Sequence, residues 1–517
     1  MLVDHDLLSI QHARIAAENA VAAQKALAAL PQERLDAIVR AMGRAVAEGA
    51  EELAALSRKE TDCGVQRDKL ALIRFVCGEA LDALLGLRCV GILSEDRERG
   101  LMDIGVPLGV IASLVPAANP AASTAHQALM AVKTGNAVIF SPHPRAARST
   151  ARTVHIMAEA AHAAGLPEGC LACLAPSCRS GARELMRHGG IALIVNTGVP
   201  SLLREAREAG KPLVYAGLGQ GPAFIECSAD IGRAARDIVR SKAFDNGMAP
   251  AAEQCVVAEL CVAEAVRNAL AAEGCHFMTH GERLRLGEVI RTCGGSGPGV
   301  MGLSADVLAR RAGFAVPQGT RLLVAERDYV DVADPFSSEI MAPVLSFYVE
   351  RDWRRACEKC VEVLLHEHKG HTLTIHSRDE AVIRQFALKK PVGRLLVNTP
   401  AVFGAIGMTT HLPPSVTLGS GSAGYGITAD SVSPLHFIRK RKVGYGVRPH
   451  NLPQDVLPGL PENLRESLAG SGHGGDARDA ADEKPLDARA VRALFGHLAG
   501  LLDAAPTDRP PAEGWRG

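Results

Sequence analysis

Strand-length apolar runs recur between helical stretches along most of this chain, and that alternation is the strongest constraint on its fold. "GVIASLVPAANP" (109–120) reads as a buried strand running into a turn. "NAVIFSPHP" (136–144), "GLPEGCLACLAP", "IALIVNTG" (191–198) and "KPLVYAGLGQGPAFIE" continue the series as further strands. Between them the sequence predicts helices at about 123–134, with Ser123 or Thr124 as cap, at 145–164, and in "PSLLREAREAG". Strands alternating with helices indicate a parallel sheet covered by helices, so the fold class is α/β.

The flanks follow the same logic. Helical spacing covers 6–57 and 68–88. In the second half a helix is expected near 262–273, another at 304–314 with Ser304 as cap, and a third over 353–367. "TRLLVAE", "PVLSFYVE" and "RLLVNTP" read as strands. "LHFIRKRKVGYGV" (435–447) is basic and β-prone, which suits an edge strand or an arm onto a partner subunit. From about 449 the chain turns rich in Pro, Gly and charge and reads as a linker. Beyond it Leu486, Val491, Leu494, Phe495, Leu498, Leu501 and Leu502 make one apolar stripe on a short tail helix. Such a helix docks on its own domain or lies in a groove of another protein.

A length of 517 residues fits two or three domains. Lys+Arg and Asp+Glu both total 57, so charge gives no reason to expect nucleic acid or an anionic membrane as partner. The 13 cysteines are scattered, which suits a reducing compartment rather than a disulfide scaffold. The first residues carry acids and no basic stretch before an apolar run, so no secretory signal is expected. No apolar run reaches about 18 residues, so no membrane span is expected and a cytoplasmic location is. Cys357 and Cys360 form C-x-x-C on a helix face without a second pair at metal spacing, so packing is expected there and no metal site. "GSGSAG" (419–424) spells G-x-G-x-x-G but lacks a following helix and acidic ribose partner.

Several separated motifs then share one order: "DHDLLSIQHAR", "PLGVIASLVPAANPAAST", "KTGNAVIFSPHPRA", "AGLPEG", "SKAFDNGM", "PFSSEIMAPVL", "KGHT", "LVNTPA" and "TLGSGSAGYGITADSVSPLHFI". With them the chain resembles the CoA-acylating branch of the aldehyde dehydrogenase superfamily over about residues 4–448. Within that branch it is most similar to the acetaldehyde dehydrogenases of bacterial microcompartments and of bifunctional alcohol/aldehyde dehydrogenases. The resemblance implies a Rossmann-type cofactor domain over 1–237, a catalytic domain over 238–433, and a bridging β arm from 434–448 with a partner near 97–108. Outside that span the composition gives a linker over 449–484, and the tail helix over 485–503 resembles the peptides that bring enzymes into microcompartments, the alternative being an unrelated or docked C-terminal helix. The resemblance also implies NAD or NADP as cofactor, coenzyme A as co-substrate, a small aldehyde as substrate, and a homo-oligomer, dimer or tetramer.

Residue by residue, Asn119 matches the asparagine that stabilises the oxyanion. Pro116 lies in the same motif, and Ser141 and His143 match the strand end that holds the adenosine side of the cofactor. Thr197 and Gly198 match the turn over the pyrophosphate, although Val199 and Ser201 follow where the family has more glycine. Gly217 belongs to a second glycine turn, Glu339 matches the glutamate on the nicotinamide ribose, and His371 matches a histidine near the cofactor. Ala216 falls where hydrolytic relatives carry a general-base glutamate, which favours CoA over water as acyl acceptor.

One position breaks the pattern. After "FDNG" the family has two residues and then its nucleophilic cysteine; here Met248 and Ala249 are followed by Pro250. Proline has neither a thiol nor a backbone N–H. Cys255, five positions on in a segment that reads as a buried strand, is the nearest alternative thiol. Two functions follow as expectations: a CoA-acylating aldehyde dehydrogenase, or a non-catalytic homologue that serves as a cofactor-binding or assembly subunit, including of a microcompartment.

Overall fold

The computed structural model describes residues 4–447 except 218, 250, 367–369 and 422–423. Pro250, the linker and the tail helix named above lie outside the described residues.

Helices α1 (His5–Leu27), α2 (Gln32–Glu48), α3 (Ala50–Thr61), α4 (Gln66–Cys77) and α5 (Glu79–Leu85) open the chain. Asp4 caps α1 by accepting from the amides of Asp6 and Leu7, both at 3.0 Å. The stretch expected as one helix over 68–88 is two, because Gly78 leaves the helical region at φ −106, ψ −105. Strands β1 (Gly91–Asp96) and β2 (Leu101–Pro107) then pair antiparallel.

The first parallel sheet follows as β3 (Val110–Val115), α6 (Pro120–Lys133), β4 (Ala137–Pro142), α7 (Ala147–Ala163), β5 (Leu171–Cys173), α8 (Arg179–Arg187), β6 (Ile191–Thr197), α9 (Leu203–Glu208) and β7 (Leu213–Ala216). Its strand order is β5-β4-β3-β6-β7. Every residue of β3 and β4 is buried, as a parallel sheet covered on both faces requires. α6 starts earlier than Ser123 or Thr124: Asn119 is its N-cap and Pro120 its first residue, a position where the missing N–H costs nothing.

The second parallel sheet contains β8 (Gly221–Ile225), α10 (Ile231–Ala243), β9 (Glu253–Glu259), α11 (Ala263–Ala272), β10 (Cys275–Phe277), α12 (His280–Cys293), α13 (Ala305–Arg311), β11 (Leu322–Glu326), β12 (Val344–Glu350), α14 (Trp353–Leu365), β13 (Thr372–His376), α15 (Glu380–Lys389), β14 (Arg394–Val397) and α16 (Ala401–Ala405). Its order is β10-β11-β12-β9-β8-β13-β14. "KPLVYAGLGQGPAFIE" is therefore two strands: β7 ends one sheet and β8 lies inside the other. The change of sheet comes at 217–220, ahead of the boundary expected at 237, because α10 packs under the second sheet through Ala234, Ala235, Ile238 and Val239.

Finally β15 (Ile438–Gly444) returns to pair antiparallel with β2, so the arm is three-stranded in the order β1-β2-β15. Asn136 fastens its root, donating to the Phe437 carbonyl at 2.7 Å and accepting from the Gly109 amide at 2.8 Å. Among the described residues no helix is long and apolar enough to cross a membrane.

Candidate active site

In the five-stranded sheet the strand order reverses between β3 and β6, and a crevice opens there at the carboxyl ends of the strands. Pro116, Asn119, His143, Thr197, Gly198 and Ala216 all line one cavity at this point. Ser141 lines an adjoining cleft that shares His143, Val199 and Ser201 with the cavity. The structure thus brings together most of the residues that the sequence singled out from four separate strand ends.

The turn after β6 is held from within. Asn196 accepts from the Val199 amide at 2.9 Å and donates to the Val199 carbonyl at 3.0 Å. Gly198 adopts φ +65, which a β-carbon would strain. Its N–H donates to the Ala216 carbonyl at 2.8 Å, so this amide is engaged in the sheet rather than presented to a phosphate as expected. The Thr197 hydroxyl accepts from Gln127 at 2.5 Å, and Gln127 also meets Ser113, so α6 is pinned across β3 and β6. Asn119, in contrast, makes no capping bond with its side chain and lines the cavity, which leaves its amide as a donor there. The His143 ring is held below its usual 6.5 by burial and by Arg145, so it is a neutral imidazole at pH 7.

The second sheet reaches the cavity through the loops that lead into its strands. Ala249 and Ala251, on either side of position 250, both line it, as do Phe244 and Met341. The "FDNG" turn that precedes them is a clamp. Asp245 and Asn246 both have positive φ, at 49 and 53, and Asp245 is fully buried. Its carboxylate accepts from Lys69 at 2.9 Å and from the Val65 amide at 2.7 Å. Lys69, itself 2% exposed, also donates to the Ala118 carbonyl at 2.6 Å, next to Asn119. One ammonium on α4 therefore ties the loop before β9 to the turn after β3. Burial pushes Asp245 up to about 6, with Lys69 pulling it back down.

Behind the loop a second buried network went unread in the sequence. Lys242 donates to Gln254 and to the Ile340 carbonyl, both at 3.0 Å, and Gln254 accepts from the Ile340 amide at 3.0 Å. Glu253 accepts from the Ala401 amide at 2.9 Å. Burial lowers Lys242 to about 7 and raises Glu253 to about 7. The "EQ" of the frame was the visible signal of this network; its partners lie too far along the chain to be paired by spacing.

Other expected residues stand elsewhere. Glu339 is 5% exposed, accepts from the Gly219 amide at 2.9 Å and anchors the turn between the two sheets; it is not among the lining residues. Gly217 belongs to that same turn, where a β-carbon would meet the Tyr215 ring at 2.8 Å. His371 is buried beside Thr372, 2.7 Å away, and Arg394, 3.2 Å away, and it too is outside the lining. Cys255 has to be corrected as a candidate nucleophile. It lies within β9, packed with Phe224, Tyr348 and Cys360, and burial raises its thiol well above the usual value. A thiol in that apolar layer does not ionise or meet a ligand in the cavity. None of the described residues that line the cavity is a cysteine, an aspartate or a glutamate.

The comparisons agree with this architecture. The profile described as the aldehyde dehydrogenase family matches residues 5–285. The chain is similar to the bifunctional aldehyde-alcohol dehydrogenase of Escherichia coli (strain K12), 35% identical over 84% of this chain and 50% of that protein. It thus spans about half of that relative's length. It is similar to the succinate-semialdehyde dehydrogenase (acetylating) of Clostridium kluyveri, 30% identical over 83% of this chain and 94% of that one. The crystal structure of a probable aldehyde dehydrogenase from Listeria monocytogenes EGD-e superposes with a TM-score of 0.84 at 41% identity, covering 86% of this chain and 99% of that one. The chain belongs to the aldehyde dehydrogenase family, and the resemblance to its CoA-acylating branch holds.

Proposed function

We propose that the cavity binds NAD or NADP together with a small aldehyde and coenzyme A, and that the chain does not carry out the covalent acyl transfer of its branch. The reading rests on one observation: the described lining of the cavity offers an amide, hydroxyls and an imidazole but no thiol, while the sequence places Pro250 in the nucleophile's frame. The crevice at the β3/β6 switch suits a dinucleotide, with Pro116, His143, Thr197 and Gly198 along its wall. When bound, the nicotinamide would accept hydride. Asn119 would orient a carbonyl oxygen, and the apolar residues Ala249, Ala251 and Met341 would exclude water around it. With a proline at 250, a bound aldehyde has no thiolate to attack it there.

A second reading, acylating oxidation of a small aldehyde, is favoured by the intact clamp around the loop and by the absence of a carboxylate from the described lining, as an enzyme that passes its acyl group to CoA rather than water requires. One experiment separates the two. NADH absorbance is followed with NAD or NADP, CoA and short aldehydes, for the wild type, Pro250→Cys and Cys255→Ala. The expected result is cofactor binding without turnover in the wild type, and a gain of about 10³-fold or more in Pro250→Cys. Wild-type turnover at the rate of the cysteine variant would overturn the first reading.

A further inference from the structure

We propose that the carboxyl edge of the seven-stranded sheet binds a soft divalent metal ion of the zinc class through Cys227, Cys261 and Glu259. The sequence raised no expectation of a metal, because Cys227 lies 32 residues from Glu259. The sheet brings them together. β8 and β9 are adjacent and parallel, with Ile225 opposite Ala258, so the chain leaves both strands side by side. Cys227 lies just beyond β8, Glu259 ends β9, and Cys261 follows in the next turn. One ligand atom from each lies within 4.8 Å of the other two. Thiolates at about 2.3 Å and a carboxylate oxygen at about 2.1 Å from one ion stand roughly 3.5–4 Å apart, so small side-chain rotations close the set.

The surroundings fit a cation. Both cysteines are exposed and open to an entering ion, while Glu259 is 5% exposed and held in place as it accepts from the Cys227 amide at 3.2 Å. Glu226, 3% exposed, stands 2.8 Å from the Cys227 sulfur with its other oxygen fixed by the Ser228 amide at 3.0 Å and the Ser377 hydroxyl at 2.8 Å. It accepts from the Cys227 thiol and is placed to receive the proton that this sulfur gives up when it binds an ion as a thiolate. Among the described residues neither Glu226 nor Glu259 forms an ion pair, so no side-chain cation balances two adjacent carboxylates. Two sulfurs select zinc-like ions over magnesium or calcium. Three protein ligands leave a fourth position for water.

The test uses full-length protein, purified with a reductant and freed of metal, and Co(II) as the spectroscopic probe. Titration of the wild type should develop thiolate-to-cobalt charge-transfer bands that saturate at one equivalent and disappear on adding Zn(II). Cys227→Ser/Cys261→Ser should lose the bands and bind Co(II) about 100-fold or more weakly, with an unchanged thermal midpoint without metal, since both side chains are exposed. Glu259→Gln should keep the sulfur bands and bind about 10-fold more weakly. The proposal is overturned if the wild type shows no such bands, if the double variant keeps them, or if Cys227 and Cys261 are found joined as a disulfide under those conditions.

Discussion

The two parallel sheets use opposite edges. In the five-stranded sheet the cavity opens at the carboxyl ends of β3 and β6, and the turns that follow those strands line it. In the seven-stranded sheet the cavity is met by loops that lead into β9 and β12, through Ala249, Ala251 and Met341, while the carboxyl edge carries Cys227, Glu259 and Cys261. Strands of the same kind thus meet one cavity from opposite ends. The first sheet shapes its wall by turns built into the strands themselves; the second depends on loops held by partners far along the chain.

That contrast can be attacked where the two halves are joined. Lys69→Met removes the ammonium shared by Asp245 and the Ala118 carbonyl and leaves a buried carboxylate without its partner. The expected loss is about 3–5 kcal/mol in urea unfolding. A loss under about 1 kcal/mol would mean that the clamp does not hold the halves together.

Acid should act on both regions alike. His126 on α6 and His376 on β13 are each lowered by burial from 6.5 to about 4. A histidine held neutral in the fold gives stability that is complete above 6.5 and is lost as pH falls toward 4. Each contributes on the order of 3 kcal/mol over that window. His126→Gln and His376→Gln should each flatten part of the decline in unfolding free energy between pH 7 and 4. If only one does, the two regions differ in how their buried rings reach solvent.

Smaller effects separate the regions further. Asn136→Ala leaves the Gly109 amide and the Phe437 carbonyl without partners at the root of the arm and should cost about 1–3 kcal/mol. Thr279→Ala removes the capping box of α12 and should cost about 1 kcal/mol, read by the same denaturation experiment. A larger loss from Thr279 than from Asn136 would reverse the expected ranking of the two regions.

The first sheet was legible because its information is local. Runs such as "GVIASLV" and "IALIVNT" are buried on both faces and end in the turn residues that line the cavity. The second was less so. β10, α12, β13 and α15 were not assigned, although Thr279 and Glu282 spell a capping box ahead of α12. The split of 211–226 into two strands was hidden because Gly217–Gln220 resembles an ordinary turn, and only pairing shows that it joins two sheets. The "FDNG" frame was visible, but its partner Lys69 is 176 residues away and leaves no periodic trace. Glu339 and His371, singled out by motif, stand back from the cavity wall, Glu339 at the Gly219 amide and His371 beside Thr372 and Arg394. The C-x-x-C pair was expected to pack, and both Cys357 and Cys360 are in the core of the second sheet.

The three-stranded arm has a consequence for how the chain is made. β2 spans residues 101–107, but its neighbour β15 is not reached until 438–444. At the pace of synthesis the ribosome needs on the order of tens of seconds to deliver the second strand after the first. Throughout that interval the edge of β2 that later pairs with β15 along Leu101–Pro107 has no strand beside it. A nascent chain in that state presents an open edge to its neighbours on the same messenger, so aggregation during translation is a hazard until the last strand emerges.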